Sequence, residues 1–334
     1  MGEDYAEKRI IVVAGVPRSG TSAITKGLDA LGVNIGKALY NLPDTGNEKG
    51  FFEDEDINLL NYGLLKILTG KPDNAILINL RNIPEEAITI FKNTAKDIIK
   101  DRLRDADIFG FKDPFIAKLL PIWQEVFSEL SIDVSFVVVC RNPKSSALSM
   151  VKRGNMDIII AYYIWLSGMI SILDCVLNSK FKSNAVFVDY DDMLENPEVQ
   201  LLRITSGLKL KIDHENNENN PAFKEYATNF LTKNMRHAAF TTQELRADGN
   251  IPPKVVACYI LLRKLCSEGF SGADLNIAKE LVRIKIWLEE LRSTIFFMQA
   301  SYNTLLAMNE VLIDKENKIA ELNKTLDTLN AEKK

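Results

Sequence analysis

Two kinds of residue carry chemistry here: a glycine-broken run able to wrap a phosphate, and single charged residues that follow apolar runs of strand length. The first is Gly15-Val16-Pro17-Arg18-Ser19-Gly20-Thr21-Ser22, preceded by Ile10-Ile11-Val12-Val13-Ala14. The β-branched residues read as a short strand, Gly15, Pro17 and Gly20 break it, and the amphipathic run from Thr21 to Leu31 reads as a helix. Strand, turn and helix gather backbone N–H groups and a positive helix end around one point, where an anion is favoured. Ser19, Thr21 and Ser22 add hydroxyl donors, and Arg18 adds a permanent cation that grips phosphate oxygens bidentately. The spacing nearly matches the nucleoside-triphosphate loop G-x-x-x-x-G-K-[ST], but Thr21 stands where its lysine belongs. Such a loop is poorly equipped for a γ-phosphate and suits a single 5′-phosphate carrying another transferable group.

The single charges come next. Ile108-Phe109-Gly110-Phe111 leads into Lys112-Asp113-Pro114, and a lysine at a strand's C-terminal end lies where open α/β sheets bind ligands. Val134 to Cys140 is a continuous apolar run, as a parallel strand buried on both faces should be. It ends in Arg141, and Ser149 follows about two helical turns on, so both are expected to converge on one anion. Glu53 follows Phe51 and Phe52, which can anchor the segment while holding the carboxylate at a cleft. Its neighbours Asp54, Glu55 and Asp56 read as charges favoured at a helix N-terminus. Asn184 to Tyr190 is a further strand; Tyr190 reads either as core or as a ligand neighbour, and Asp191 and Asp192 are expected to cap the next helix.

Pro17-Arg18-Ser19-Gly20-Thr21-Ser22 fits the sulfotransferase loop P-[KR]-S-G-T-[ST] at each position, and the chain from residue 10 to about 245 resembles that family. Arg141-Asn142-Pro143 with Ser149 resembles the family's 3′-phosphate site. Lys112-Asp113-Pro114 with Leu119-Leu120-Pro121-Ile122-Trp123 resembles its K-D-P-R segment, except that Phe115 replaces the arginine. Asn47 to Glu53 resembles the N-x-x-G-[FY]-[FWY]-E block of bacterial members, and Glu48, in E-x-x-F-F, resembles the heparan-type enzymes. The resemblance places Tyr190 near the adenine and Arg236, beside His237, over the 3′-phosphate. A lone histidine usually has a structural role. No histidine follows Lys112 closely, so a carboxylate must serve as general base: Glu53 first, Glu48 second, Asp113 third. Asp113 is also placed to pair with Lys112 or Arg18.

The resemblance implies a sulfotransferase that moves a sulfuryl group from 3′-phosphoadenosine 5′-phosphosulfate (PAPS) to an acceptor hydroxyl or amine, releasing adenosine 3′,5′-bisphosphate (PAP). Residues 17 to 22 then hold the 5′-phosphate, and Arg141 and Ser149 the 3′-phosphate. Arg18 and Lys112 stabilise charge developing on the bridging oxygen, Glu53 takes the acceptor's proton, and no metal is required. Family habits in bacteria point to a saccharide acceptor. Two other readings stay open: a P-loop kinase of a small metabolite, and a non-enzymatic coiled-coil scaffold with a degenerate nucleotide fold.

The elements that must position these residues form an α/β, P-loop-like three-layer domain with a central parallel sheet, plus a long C-terminal helix or coiled coil. We divide the 334 residues into a nucleotide-binding catalytic domain at 1–245, a closing helix and hinge at 246–272, and a helical extension at 273–334. In the extension Leu281, Ile284, Leu288, Leu291, Ile295, Met298, Tyr302 and Leu305 follow a 3-4 spacing. Met308, Leu312, Ile319, Leu322, Leu326 and Leu329 resume it, about seven heptads with a stammer near Leu305. The first half is expected to pack on the core and the second to join a second copy or another protein. Composition is that of a globular protein, 46% hydrophobic and 26% charged, and the net charge of -4 without a long basic run argues against a nucleic-acid binder. Cys140, Cys175, Cys258 and Cys266 form no C-x-x-C pair, so zinc is not expected and a reducing cytoplasmic setting is. No signal peptide is expected from residues 1–16, and Ile158 to Val176, interrupted by Ser167, Gly168, Ser171 and Asp174, reads as a buried helix rather than a membrane span.

Overall fold

Four short apolar runs pair into one parallel sheet: β1 (Arg9–Ala14), β2 (Ile108–Lys112), β3 (Asp133–Cys140) and β4 (Ala185–Asp189), in the order β2-β1-β3-β4. The computed structural model describes residues 8–36, 39, 50–69, 78, 80–154, 156–177, 184–210, 220–231, 240–269 and 275–332. The helices among them are α1 (Thr21–Ala30), α2 (Glu55–Thr69), α3 (Glu85–Arg104), α4 (Ile116–Leu130), α5 (Pro143–Gly154), α6 (Ile158–Leu177), α7 (Tyr190–Glu195) and α8 (Pro197–Gly207). They continue with α9 (Pro221–Glu225), α10 (Thr242–Ala247), α11 (Pro253–Glu268), α12 (Leu275–Glu290) and α13 (Arg292–Glu332).

Alternation along the strands makes the three layers expected. Ile11, Val13, Val137, Val139, Val186 and Val188 turn to one face and share a core with Ile24 and Leu28 of α1, Met193 of α7 and Leu201 and Ile204 of α8. Phe111 of β2 turns to the other, where its ring lies 5.5 Å from that of Trp123 in α4. Helix α4 carries Pro121 in its interior. Proline has no N–H to offer Ala117 one turn back, and the Ser171 hydroxyl of α6 donates to that carbonyl instead at 2.5 Å. Helix α6 is long and apolar enough to cross a membrane, with a mean hydropathy of 1.8, yet 72% of that stretch is buried inside the protein. A core helix needs the same composition, and α6 packs against α4 and α5.

The chain forms two compact units, Met1–Glu289 and Glu290–Lys334, so α11 and all of α12 but its last residue belong to the first. The periodicity predicts an unbroken helix across Leu291, and the structure instead divides it there into α12 and α13. No glycine or proline causes the break. Helix α12 has its own anchors, with Trp287 stacked on Tyr163 and Lys285 2.6 Å from Asp174, so packing rather than local sequence ends it. In the second unit, Leu305, Met308, Leu312, Ile319, Leu322 and Leu326 are exposed.

A convergence of arginines and a buried lysine–carboxylate pair at the sheet edge

Strand order decides where ligands meet. The chain leaves β1 for β2 on one side and then crosses to β3 on the other, so the end of β1 is the topological switch point of the sheet. The loop at residues 15–20 sits there, where a glycine-rich turn and a helix N-terminus point the same way. Arg18 has φ 65° and Gly20 φ 91°, both left-handed. Such a conformation is uncommon for a residue with a side chain and concentrates at functional sites. Gly20 is required twice over, since an added Cβ would lie 2.0 Å from Cδ2 of Tyr190. Gly20 is also the N-cap of α1, and no side chain caps that helix, which leaves its first N–H groups directed at the loop.

The hydroxyls divide differently from expectation. Ser19 is fully buried, and its Oγ donates to the Val16 carbonyl at 2.7 Å while its N–H reaches the same oxygen at 3.2 Å. Its hydroxyl therefore braces the turn instead of facing an anion. Thr21 and Ser22 open α1 half-buried, as does Pro17 in the turn.

Arg141, at the end of β3, donates from Nη1 to the Arg18 carbonyl at 2.7 Å. Arg18 donates from Nε to Ser149 Oγ at 2.9 Å. Arg18, Arg141 and Ser149, far apart in sequence, are thus one cluster. Tyr190 underlies it: only 4% exposed, its ring lies against Gly20 and carries the Arg141 guanidinium 4.8 Å from its centroid. Arg153, at the end of α5, was not singled out from sequence, although its position one helical turn after Ser149 was a signal. Its guanidinium lies 5.1 Å from the Phe51 centroid. Burial, and then the repulsion of Arg153 and Arg141, lower the pKa of Arg18.

On the other side of β1, Lys112 pairs in register with Val13 and ends β2. It is buried and forms an ion pair with Glu53, itself buried. Phe52, just before Glu53, has φ 52°, a strained setting for an aromatic residue. Its ring lies 5.9 Å from Phe230 and 5.8 Å from Lys26 Nζ, while Phe51 turns to Arg153, so the pair of aromatics anchors the segment as expected. One residue on, Asp54 accepts from Ile57 N–H as a helix cap should, but it also takes Arg102 Nε at 2.7 Å and Nη2 at 3.2 Å. That two-point grip ties the start of α2 to α3. Asp56 joins the same arginine.

Asp113 does not pair with Lys112 or Arg18. It accepts from Asn58 Nδ2 at 3.0 Å, Asn61 Nδ2 at 2.9 Å and the Phe115 N–H at 2.8 Å. Glu53 is nearer the ammonium and takes it, while the two amides of α2 enclose Asp113. Burial and, second, the neighbouring Glu53 charge push the Asp113 carboxyl up to about 7. Asn58 and Asn61 were also missed; three apart on a face with Ile57, Leu64 and Leu65, they are buried polar residues whose signal was that spacing. Asp191 and Asp192 do not cap α7. Asp189, the extended last residue of β4, accepts both their N–H groups and is held by Arg263 at 2.6 Å. Glu48, Arg236 and His237 lie outside the described residues. Among the described residues no group of His, Cys, Asp and Glu is arranged to hold a metal ion.

In fold, this chain is similar to sulfotransferase domains. The solved sulfotransferase domain of the Synechococcus PCC 7002 olefin synthase matches at 18% identity, covering 83% of this chain and 94% of that one, with a TM-score of 0.42. The sulfotransferase domain of the curacin biosynthetic pathway matches at 13% identity, covering 84% of this chain and 98% of that one, with a TM-score of 0.41. No family model and no curated protein matches the sequence. Likenesses this distant say nothing of individual residues, and the site stands on its own geometry.

Proposed function

We propose that this protein is a sulfotransferase that moves a sulfuryl group from PAPS to an acceptor hydroxyl or amine, with a saccharide as the acceptor the family resemblance favours. One observation carries the proposal: Arg18 and Arg141 meet at a helix N-terminus that no side chain caps, with Arg153 among their electrostatic neighbours, and a buried lysine–carboxylate pair lies one strand away. Arg153 and Arg141 repel Arg18, and that repulsion is relieved by a multiply charged anion.

The donor supplies a sulfuryl group on a 5′-phosphate and a 3′-phosphate that marks the nucleotide. Backbone N–H groups of Arg18 and of residues 20 to 22, with the hydroxyls of Thr21 and Ser22, hold the 5′-phosphate, and Pro17 and Ser19 keep the turn in shape. Arg141 and Ser149 take the 3′-phosphate, and Tyr190 supports both by packing on Gly20 and under Arg141. Adjacent strands are about 4.8 Å apart, so Lys112 on β2 and Arg141 after β3 flank the loop at a separation suited to the two ends of the donor. Lys112, and Arg18 once its Nε leaves Ser149, stabilise charge that develops on the bridging oxygen as the S–O bond opens. When Lys112 turns to that oxygen it releases Glu53, which then accepts the acceptor's proton.

The exposed apolar positions of α13 support assembly through that helix with a second copy or another protein. A cytoplasmic setting belongs to the same proposal. Calorimetry tests the donor: adenosine 3′,5′-bisphosphate should bind at least about tenfold more tightly than ATP with Mg²⁺. Equal affinities, or preference for ATP, would overturn the assignment, and a screen of acceptors with labelled PAPS would then name the acceptor class if it holds.

A further inference from the structure

Asn58 touches both carboxylates at the β2 edge. Its Nδ2 lies 3.0 Å from Glu53 Oε2 and 3.0 Å from Asp113 Oδ2. An amide nitrogen carries two hydrogens, and each here serves a different carboxylate. The far end of this chain of bonds is oriented too. Trp123 Nε1, a donor only, gives to Asn61 Oδ1 at 2.9 Å, so the Asn61 nitrogen must face Asp113. With Asn58, Asn61 and the Phe115 N–H around it, Asp113 is anchored, and Asn58 is the link from that anchor to Glu53.

We propose that Asn58 is a positioning residue for sulfuryl transfer: by holding Oε2 of Glu53 it aims Oε1 at Lys112 and makes Oε1 the atom that receives the acceptor's proton. This rests on Glu53 being the base. In the step, the acceptor's O–H bond breaks and its proton goes to Glu53 Oε1, while the acceptor oxygen forms the new bond to sulfur. The bond from sulfur to the 5′-phosphate oxygen breaks with its electron pair left on that oxygen, where Lys112 now stands. Asn58 gains and loses nothing; it keeps Oε2 occupied so that a single oxygen is presented.

The charged groups around this bridge are Lys112 and Asp113 at the β2 edge, Arg153 of α5 on Phe51, and Arg102 of α3, which Asp54 and Asp56 engage. Helix α2 presents the amides of Asn58 and Asn61 to the two carboxylates. A donor to a carboxylate favours its ionised form, so removing Asn58 should move the acid limb of the rate to higher pH.

The test uses the full chain with Asn58→Leu, Asn58→Gln and Glu53→Gln. Release of adenosine 3′,5′-bisphosphate from PAPS, with water as acceptor, is followed from about pH 5 to 9, beside calorimetric affinity for the bisphosphate. Asn58→Leu should lower kcat by about 10-fold or more and move the acid limb up by about one pH unit, with donor KM and bisphosphate affinity nearly unchanged. Asn58→Gln, which keeps an amide donor, should recover part of both. Wild-type kcat and an unmoved limb in Asn58→Leu, with Glu53→Gln inactive, overturn the positioning role. An active Glu53→Gln overturns the base instead. If Asn58→Leu does not fold, Asn58→Ala, which also lacks the donor, takes its place, and wild-type kcat with an unmoved limb in that variant overturns the proposal.

Discussion

The two flanks of the β1 loop are built on opposite electrostatic plans. Toward β3 and β4, Arg18 and Arg141 meet over backbone donors, with Arg153 close enough to repel Arg18 and an aromatic ring beneath Arg141. Toward β2, the one buried ammonium is matched by Glu53, and Asp113 is enclosed by three N–H donors. The first flank gathers like charges, and under the proposed function a bound anion relieves their repulsion. The second is already internally satisfied, as a site must be if it is to exchange a proton without first attracting an ion. Under the proposed function, a single sheet edge thus separates holding the donor from moving the proton.

Substitutions should separate the two flanks. The largest effect belongs to the β2 side: Lys112→Ala and Glu53→Gln should each lower kcat by more than about 100-fold and leave bisphosphate affinity within a few-fold. Steady-state kinetics beside calorimetry checks this, and a change confined to KM would merge the flanks into one binding site. Gly20→Ala comes next. Its Cβ would meet the Tyr190 ring, so bisphosphate binding should fall by about 100-fold or be lost, and thermal unfolding should occur earlier. Arg141→Ala should weaken bisphosphate binding by about 10- to 100-fold and alter kcat far less. An unchanged affinity would remove Arg141 from the donor site.

The smallest effect is on stability. Asp113 titrates at about 7 in the fold, against about 3.9 in an unfolded chain. Between those values the native state keeps a proton that the unfolded chain has released, so stability falls as pH rises through that window. Asp189, also pushed up by burial, contributes in the same direction. Asp113→Asn should shrink the loss of Tm between pH 5 and pH 8 by about 5 °C. An undiminished slope would show that Asp113 is ionised throughout that range.

Legibility from sequence follows the same division. Residues that act through local backbone geometry were readable: the glycines of the loop, the apolar strands and the strand-end Lys112 and Arg141 follow from periodicity and turn chemistry. Residues that act through contacts across the chain were not. Asn58 and Asn61 look like polar interruptions of a helix until Asp113, more than 50 positions away, comes to face them. Arg153 looks like one more surface charge until Phe51 lies under it. Asp113 was expected to pair with Lys112 or Arg18, but in a strand-to-turn segment adjacent side chains leave on different sides, and Glu53 takes the lysine.

The amino-acid order alone determined a strand–turn–helix able to receive a phosphate, further strands ending in charge, and a heptad-patterned C-terminus, because each depends on residues within a few positions of one another. Tertiary structure decided which carboxylate meets Lys112, that Ser19 turns inward, that Tyr190 underpins Gly20 and Arg141, and where the long helix divides at Leu291. These outcomes depend on which strand ends adjoin and on which buried polar groups find partners, and a polar group in a protein interior chooses its partner by distance in space.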